Sequence, residues 1–452
     1  MLRVFHHYFS SRKLSLFVGE SVAVAASGLL GAAVAAKAFA QGTPGFTLAP
    51  VLPWLVLLAL GFVASLQFAL YLFDLYDLRV ANEDRARGSR ILKAGAVSAV
   101  LMGFVLLTVD AHLPQGAVLG GAAGALLGAA ALRWALRAVV GEPSRVLIIG
   151  DGIKARALSQ AVLAEGEDAF HIVAMVDLRR GDARTVQALV KEHAAPYAII
   201  ALDEPRGVVQ VEDLVRCRFE GCKVYEGAGF AERVLRRIPV AHLRASDLAF
   251  ADELTVSPLQ RFLKRAFDLA VATCVLICAA PLMACLAVAI RLDSKGPILY
   301  RQERVGRGGK PYSLWKFRSM RTDAEANGAV WARTDDERVT RVGRLMRKTR
   351  MDELPQVLNV LRGEMSFVGP RPERPVFVDQ LKEQIPFYGL REGVKPGITG
   401  WAQIRYPYGA SVDDARNKLE FDLYYVKNGS LFLDLAIIFH TVRHVLFGRG
   451  AR

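Results

Sequence analysis

Two adjacent acidic residues, Asp352 and Glu353, stand between basic residues in the last third of the sequence. The basic residues around them are Arg341, Arg344, Arg347, Lys348, Arg350 and Arg371. A carboxylate in such surroundings can attack phosphorus once cations or a bound metal ion neutralise the charge of the phosphate. A surface cluster of ion pairs has the same composition and performs no chemistry. Both interpretations are open from these residues alone.

Neither cysteine nor histidine can act as the nucleophile or base near this acid pair. The five cysteines all precede residue 286, and the eight histidines all lie outside residues 245–439. The cysteines have neither disulfide nor zinc-site spacing, as expected in a reducing compartment. Chemistry in this region therefore depends on carboxylates.

The charge of the chain is concentrated near the acid pair. The chain has 452 residues, of which 52% are apolar, and a net charge of +14. Residues 301–350 contain 14 Lys or Arg against 6 Asp or Glu, so +8 of that charge lies there. Because no nucleic-acid-binding module surrounds the block, we expect no nucleic-acid partner. A phosphorylated substrate beside anionic lipid fits the charge better.

Four apolar stretches within residues 1–140 predict a four-helix transmembrane bundle. They cover about residues 14–36, 51–73, 91–109 and 113–132, and each approaches the ~20 residues that cross a bilayer. Basic residues precede the first stretch, separate the second from the third and follow the fourth. The positive-inside rule therefore predicts that both ends of the bundle face the cytoplasm.

A fifth apolar segment, residues 268–292, has cations on both sides, including Lys264 and Lys295. Neither end is easily moved across a membrane. Pro281, in the middle, removes a helix hydrogen bond and allows the chain to turn. We therefore expect a re-entrant helix over residues 266–292, broken at Pro281, which enters and leaves the membrane on the same face. A kinked spanning helix is the alternative.

Residues 144–250 predict a Rossmann-like, doubly wound α/β domain. A buried strand precedes Gly150, Gly152 and Ala155, which fit the G-x-G-x-x-A turn, and a second strand ends at Asp177, where a ribose-binding acid would lie. Further strand candidates alternate with helical segments. A single fingerprint is weak evidence for a bound dinucleotide, because the same turn can serve packing. We expect the packing role.

The acid pair is predicted to begin a helix. Asp352 suits the N-cap, Pro355 the first turn and Gly363 the C-terminal stop. The positions that predict an inward apolar face are Leu354, Val357, Leu358 and Leu361. Free N–H groups at a helix N-terminus attract anions. The ion-pair interpretation does not explain why the acid pair would lie at a helix end.

Five segments of the chain together resemble the monotopic phosphoglycosyl transferase superfamily. In order across residues 258–447 they are KRAFDLAV…AAPL, GPILYRQERVGRGGKPYSLWKFRSM, DELPQVLNVLRGEMSFVGPRP, KPGITGWAQIRY and KLEFDLYYVKN. With its N-terminal spans and α/β domain, the chain is similar to the large bacterial members, the exopolysaccharide polyprenyl glycosylphosphotransferases. The resemblance implies an α/β catalytic domain over residues 258–452, on the cytoplasmic face of the bacterial inner membrane.

The resemblance also implies a reaction. A hexose-1-phosphate would pass from a UDP-sugar to undecaprenyl phosphate, with Mg²⁺ and with release of UMP, as the first membrane step of exopolysaccharide biosynthesis. Glucose is the favoured sugar and galactose the second choice. Besides these substrates, the expected partners are the lipid bilayer and a second copy of the chain, bound through the middle domain.

The roles of several residues follow from matching positions in the family. Asp352 matches the nucleophile, which forms a covalent phosphosugar intermediate, and Glu353 is its partner in binding the metal ion. Lys316 matches an active-site lysine, and Asp422 matches a further functional acid. The residues expected to bind substrate phosphate are Arg347, Arg318 and Arg371. Small members often have serine where this chain has Ala280, so a serine-dependent hydrogen bond at the membrane break is in doubt.

Residues 431–447 predict a helix that lies on the membrane surface, with a buried core helix as the alternative. The polar residues outside its apolar face are Asp434, His440, Arg443 and His444.

Two other functions are weighed against the transferase. A membrane-bound nucleotide-sugar dehydratase or epimerase can share the same N-terminal architecture, and its Tyr-x-x-x-Lys signature occurs as Tyr312 and Lys316. That pair lies in a strand-like segment, however, and a second glycine-rich nucleotide turn is absent after residue 250. A non-enzymatic scaffold for polysaccharide export is the other alternative.

Overall fold

The computed structural model comprises two compact units. Its described residues are 2–4, 7–9, 11–42, 52–73, 75, 90, 93–103, 115–137, 143–165, 170–178, 184–204, 208–243, 257–322, 324, 337–406, 409 and 411–447. The first unit is Met1–Leu2, Phe9–Ser144 and Glu167–His171. The second is Arg3–Tyr8, Arg145–Gly166 and Ile172–Arg452. The architecture is mixed α/β with several apolar helices.

The helices and strands of the described residues are as follows in chain order. The helices are α1 (Ser11–Gly42), α2 (Leu52–Leu72), α3 (Lys93–Gly103), α4 (Gln115–Arg137), α5 (Ile153–Glu165), α6 (Val186–Glu192), α7 (Val211–Phe219), α8 (Gly227–Phe230), α9 (Pro258–Asp293), α10 (Arg341–Thr349), α11 (Gln356–Arg362), α12 (Pro375–Gln384), α13 (Trp401–Arg405), α14 (Val412–Asn428) and α15 (Leu431–Phe447). The strands are β1 (Leu2–Val4), β2 (His7–Phe9), β3 (Ser144–Ile149), β4 (Phe170–Val176), β5 (Tyr197–Ile200), β6 (Lys223–Glu226), β7 (Leu299–Val305), β8 (Pro311–Phe317), β9 (Ser366–Val368) and β10 (Gly397–Thr399).

The four apolar stretches of the N-terminal region fall on α1 to α4. Among the described residues, α1 and α2 contain segments long and apolar enough to cross a membrane, Phe17–Gln41 and Leu52–Leu72, and α9 is the third such helix. The apolar parts of the other two are shorter, at Lys93–Gly103 and Val118–Leu132. Two of the four predicted spans therefore reach spanning length within the described residues.

Small residues allow α1 and α4 to approach closely. A Cβ atom added to Gly31 would lie 2.2 Å from the carbonyl oxygen of Gly120, and one added to Gly124 would lie 2.2 Å from that of Ser27. Glycine at such crossings is typical of helices that pack in a bilayer, where close backbone contact takes the place of hydrophobic burial.

The middle domain is built on a sheet with the strand order β4-β3-β5-β6. β5 pairs in parallel with both β3 and β6, and the four strands lie where the sequence predicts them. Leu147 and Ile149 of β3 are fully buried. The C-terminal end of this domain packs into the next one, because Ile238 and Val240 share a core with Phe421 of α14.

The C-terminal domain combines two small sheets with buried helices. β7 and β8 form an antiparallel hairpin, and β9 pairs in parallel with β10. Lys316 lies near the end of β8, directly opposite Tyr300 of β7. α14 runs through the core with Leu419, Phe421 and Tyr424 buried.

The predicted break in the fifth apolar segment is absent from the secondary structure. α9 is helical at every residue from Pro258 to Asp293 and contains Pro281 in its interior. It begins with a capping box between Ser257 and Gln260. Proline removes one hydrogen bond but keeps a helical φ angle. The chain can therefore change direction at Pro281 by a bend within the helix, without a loop.

Both ends of α9 contact the same domain. Ala272 packs in a cluster with Leu314 of β8, whereas Leu286 packs in a cluster with Phe317 of the same strand. On a straight helix the two α9 residues would be about 21 Å apart, but residues 314 and 317 are separated by about 10 Å along a strand. This difference favours a bend in α9, and the re-entrant topology stays a prediction.

The last helix, α15, differs from its predicted environment. Its residues Leu433 and Ile437 are fully buried, while Leu435 is 55% exposed. Asp434, predicted to lie outside the apolar face, is instead buried, and its Oδ2 lies 2.9 Å from Nζ of Lys264. The buried-core alternative is therefore right for one face of α15. On that face the charge of Asp434 is balanced by Lys264 of α9. The membrane-surface role of the exposed apolar face stays a prediction.

Candidate active site

Strand β8 and the loop after β9 bring two cationic side chains, Lys316 and Arg371, to Glu353. Its buried carboxylate accepts a hydrogen bond from Nη2 of Arg371 at 2.7 Å and from Nζ of Lys316 at 3.4 Å, both to Oε1. Arg371 belongs to the Pro-Arg-Pro sequence that follows β9. Three of the residues selected from the sequence therefore meet at one point.

The acid pair does not cap a helix, so that prediction is wrong. α10 ends at Arg350, whose φ of 56° is left-handed, and Met351–Glu353 then form a turn of 3-10 helix. α11 begins only at Gln356, without a side-chain cap. The left-handed Arg350 separates α10 from the pair, and Leu354 and Pro355, both with helical backbone angles, lie between the pair and the start of α11. Gly363 does end α11, with a φ of 86°.

The inward face of α11 differs from the prediction, because of the four predicted positions only Val357 is fully buried, while Leu354, Leu358 and Leu361 are half-buried. The buried residues of this helix are Gln356, Val357, Asn359 and Val360. Asn359 receives the backbone N–H of Trp315 at 3.0 Å and donates to the carbonyl oxygen of Ser313 at 2.7 Å. These bonds tie α11 to β8, the strand that carries Lys316. Asn359 can be buried here because its side chain pairs with backbone groups of β8.

The two carboxylates of the pair differ in their bonding. Glu353 is held by two cations, whereas Asp352 makes neither a hydrogen bond nor an ion pair with any residue that the structure describes. The charges of Lys316, Arg371 and Arg347 nevertheless act on Asp352. One carboxylate is therefore fixed, and its neighbour is free to react.

Burial and charge have opposite effects on the pair. Burial, together with the charge of Glu353, raises the pKa of Asp352 above its usual value, although nearby cations oppose this. Burial also acts to raise the pKa of Glu353, but the charges of Arg371 and Lys316 outweigh it and hold this pKa well below its usual range. Burial lowers the pKa of Lys316. Asp352 is thus the more basic carboxylate and the better nucleophile of the two.

Asp422 is connected to the pair through an arginine that the sequence analysis missed. Oδ2 of Asp422 lies 3.1 Å from Nε and 2.8 Å from Nη2 of Arg391. Arg391 also donates to the carbonyl oxygen of Arg371 at 2.8 Å and to the hydroxyl of Tyr388 at 2.9 Å. Asp422 therefore fixes the loop that aims Arg371 at Glu353. Arg391 precedes Asp422 by 31 residues, and no spacing rule joins them.

Open space adjoins this linkage. A small, partly open cleft is lined by Arg371, Glu373 and Arg391, with Val394 and Pro396 on its apolar side. It leaves one side of the Arg371 loop accessible from solvent.

The structure assigns the two remaining arginines to different places. Arg318 is buried, and its guanidinium donates to Lys295 O at 2.9 Å, Ser294 O at 2.7 Å and Ser294 Oγ at 2.9 Å. It therefore fixes the chain that leaves α9, and the prediction that it binds phosphate is not supported. Arg347, in the last turn of α10, is half-buried and acts on Asp352 through its charge. It remains a candidate for binding phosphate.

Asp352 and Glu353 are the residues that could hold a metal ion. Within the described residues there is no cluster of three or more His, Cys, Asp or Glu side chains suited to a metal. Mg²⁺ is commonly bound by only one or two protein carboxylates, with water and substrate phosphate completing its coordination. Asp352 has both oxygens free and Glu353 uses only Oε1 for its cations, so the pair fits such an ion.

The glycine turn of the middle domain contains its own anion. Oδ2 and Oδ1 of Asp203 accept the backbone N–H groups of Ile153 and Lys154, each at 3.0 Å. A Cβ atom added to Gly152 would lie 2.1 Å from Oδ2 of Asp203. The position where a phosphate would meet the N-terminus of α5 is therefore filled by a protein carboxylate.

Comparison with known proteins gives the family of the C-terminal domain. Residues 259–448 match the family described as bacterial sugar transferase. The chain is 46% identical over 239 residues to a UDP-N-acetylgalactosamine-undecaprenyl-phosphate N-acetylgalactosaminephosphotransferase of Aeromonas hydrophila, covering 53% of this chain and 56% of the relative. It is 37% identical over 318 residues to an undecaprenyl-phosphate glucose phosphotransferase of Komagataeibacter xylinus, covering 68% and 60% respectively.

A third relative is covered more fully. It is a UDP-glucose:undecaprenyl-phosphate glucose-1-phosphate transferase of Caulobacter vibrioides (strain ATCC 19089 / CIP 103742 / CB 15), 42% identical over 185 residues that make up 40% of this chain and 69% of the relative. The chain belongs to the bacterial sugar transferase family. It spans less than two thirds of the length of the first two relatives.

Proposed function

We propose that this protein is a phosphoglycosyl transferase, which moves a hexose-1-phosphate from a UDP-sugar to undecaprenyl phosphate and releases UMP. The observation that carries the proposal is the division of the acid pair. Asp352 is unbonded, while the adjacent Glu353 is held by Lys316 and Arg371. The charges of a structural ion-pair cluster hold one another, whereas Asp352 pairs with none of the described residues.

In the proposed reaction, an oxygen of Asp352 attacks the β-phosphorus of the UDP-sugar. A bond forms from that oxygen to phosphorus, and the bond from phosphorus to the bridging oxygen breaks, so UMP leaves with the electron pair. The sugar phosphate is then joined to Asp352 as an acyl phosphate, a mixed anhydride. A phosphate oxygen of undecaprenyl phosphate attacks the same phosphorus, which forms the lipid diphosphate sugar and frees Asp352.

The surrounding cations would stabilise the negative charge that develops in both steps. In this proposal Arg347 and Arg371 bind phosphate oxygens, and Arg371 and Lys316 keep Glu353 ionised. Mg²⁺ held by the acid pair would neutralise phosphate charge and so allow an anion to attack. Asp422 acts at a distance, because its contact is with Arg391 and the loop of Arg371.

The sugar is a hexose whose identity the site geometry leaves open. Glucose is named in two of the relatives described above and N-acetylgalactosamine in the third. The test is a panel of radiolabelled UDP-sugars with purified protein and undecaprenyl phosphate. One sugar should be incorporated into the lipid fraction with matching UMP release, whereas conversion of a UDP-sugar without lipid labelling would favour a dehydratase or epimerase.

The re-entrant topology of α9 belongs to the same proposal, because it would keep the acid pair on the cytoplasmic side with the nucleotide. Cysteines at Arg261 and Lys295, in a background without native cysteines, test it. Arg261 is exposed, whereas Lys264 is held in ion pairs with Asp268 and Asp434. Both cysteines should react with an impermeant thiol reagent only after the inner membrane is opened. Reaction of one of them in intact spheroplasts would contradict the topology.

A further inference from the structure

Helix α10, which directly precedes the acid pair, has one cationic face open to solvent. Its exposed residues are Arg341, Arg344, Leu345 and Lys348. Their spacing of i, i+3, i+4 and i+7 places them on a single side of the helix. The opposite side is packed, with Gly343 and Met346 buried. The helix is therefore amphipathic, and its solvent-facing side combines three cations with one exposed leucine.

This face continues from the end of the apolar helix α9. Met346 packs in one cluster with Leu286 and Ile290 of α9. The N–H of Val342 donates to Oδ2 of Asp293, the last residue of α9, at 3.0 Å. Leu292 of α9 is 82% exposed. The cationic face of α10 thus begins where the apolar helix ends.

Charge identifies what this face can bind. Residues 338–351 contain six Lys or Arg and no Asp or Glu. Leu345 is 60% exposed between the cations. A short helix with cations around an apolar side chain, attached to a membrane-embedded helix, suits the headgroup layer of an anionic bilayer.

We propose that the exposed face of α10 binds the phosphate groups of anionic phospholipids, with Leu345 inserted into the interfacial layer. The proposal rests on the proposed function only for placing α9 in the membrane. Because α10 leads through Arg350 to Asp352, lipid binding would fix the height of the acid pair above the bilayer. Lysine and arginine near such a surface are each attracted strongly enough that losing two should reduce binding roughly 30-fold.

The test uses the full-length protein with its five cysteines replaced by alanine, a cysteine in place of Leu345, and an NBD fluorophore on that cysteine. The protein is placed in nanodiscs of phosphatidylcholine with 0 to 40% phosphatidylglycerol. NBD emission should rise with the phosphatidylglycerol fraction and fall again in high salt. Arg341→Gln with Arg344→Gln should shift the response to much higher phosphatidylglycerol fractions.

The matched control is Arg216→Gln with Arg218→Gln, which removes the same charge from exposed positions on α7 and should leave the response unchanged. Emission that is independent of phosphatidylglycerol, or an equal effect of both pairs, would overturn the proposal. Emission that responds to an acidic peptide or to DNA in place of the lipid would assign the face to another partner. The readout needs no UDP-sugar, so failed transfer with an intact lipid response would count against the proposed function alone.

Discussion

Two parts of the second unit place carboxylates where a phosphate could bind, and they differ in what remains available. At the glycine turn, Asp203 occupies both N–H groups at the start of α5. At the acid pair, Glu353 accepts hydrogen bonds from Lys316 and Arg371. Asp352 has no such partner among the described residues, and the cleft beside Arg371 is open to solvent. The N–H groups of the turn are therefore satisfied by the protein itself, whereas the acid pair keeps one carboxylate without a hydrogen-bond partner among the described residues.

This difference explains why the turn motif is weak evidence and the acid pair is strong evidence. A helix N-terminus binds phosphate only when its N–H groups are free, and spacing in a sequence does not reveal that Asp203 reaches them from 49 residues away. The basic residues near Asp352 exceed the acidic residues available to neutralise them. Unsaturated charge is therefore the more reliable sign of a phosphate site.

The largest expected effect separates the two carboxylates. Asp352→Asn should reduce transfer by roughly 10³-fold or more, since it removes the nucleophile. Asp203→Asn should leave transfer within about twofold of the parent protein, because its carboxylate serves only the turn. UMP release, measured on proteins with equal melting temperatures, checks both. A strong loss in Asp203→Asn would mean that the middle domain takes part in transfer.

A smaller effect is expected from the glycine turn. Gly152→Ala places a methyl group against Asp203 and should lower the free energy of unfolding by about 1–3 kcal/mol, as overpacking does. Gly229→Ala is the control, since a Cβ atom there meets nothing within 4 Å. Thermal unfolding of the full-length variants gives the comparison. Stoichiometric NAD binding by the parent protein would show that the turn binds a nucleotide after all.

A moderate change in rate, about tenfold, is expected from Asp422→Asn, because Arg391 then holds the loop of Arg371 less firmly. Burial raises the pKa of Asp422 to about 6. Transfer should therefore fall as the pH drops through about 6, where protonation weakens the bond to Arg391. Asp422→Asn should show a weaker decline over this pH range.

Stability should respond to pH in the opposite direction. Because the folded protein raises the pKa of Asp422 from 3.8 to about 6, this group favours folding below about pH 4, and that contribution is lost as the pH rises through about 6. Asp422→Asn should lack this dependence. Melting temperatures between pH 4 and 7 provide the measurement. An unchanged pH profile of both transfer and melting temperature would remove Asp422 from the linkage.

The sequence predicts the four strands of the middle domain from their apolar runs. The resemblance to the family selects Lys316, Glu353 and Arg371, which the fold brings together, whereas the local pattern around the acid pair predicts a helix cap that is absent. Arg318 follows Lys316 by two residues, so the two side chains would point to the same face if the strand continued. β8 ends at Phe317, so Arg318 leaves the pattern and reaches the chain after α9.

The features that could not be predicted depend on backbone turns and on distant pairs. The left-handed conformation of Arg350 ends α10 just before the acid pair, and no residue type at that position requires it. Arg391 is found only because folding brings its loop to α14. Asp434 looks like a surface acid until Lys264 is known to face it.

The most direct test of the account is to incubate the purified protein with a radiolabelled UDP-sugar in the absence of undecaprenyl phosphate. The account predicts release of about one UMP per protein and a sugar phosphate bound to Asp352, found by mass spectrometry of the peptide that contains it. Adding undecaprenyl phosphate should then transfer the label to lipid. UMP release that needs the lipid from the start, with an unlabelled protein, would contradict the covalent role of Asp352.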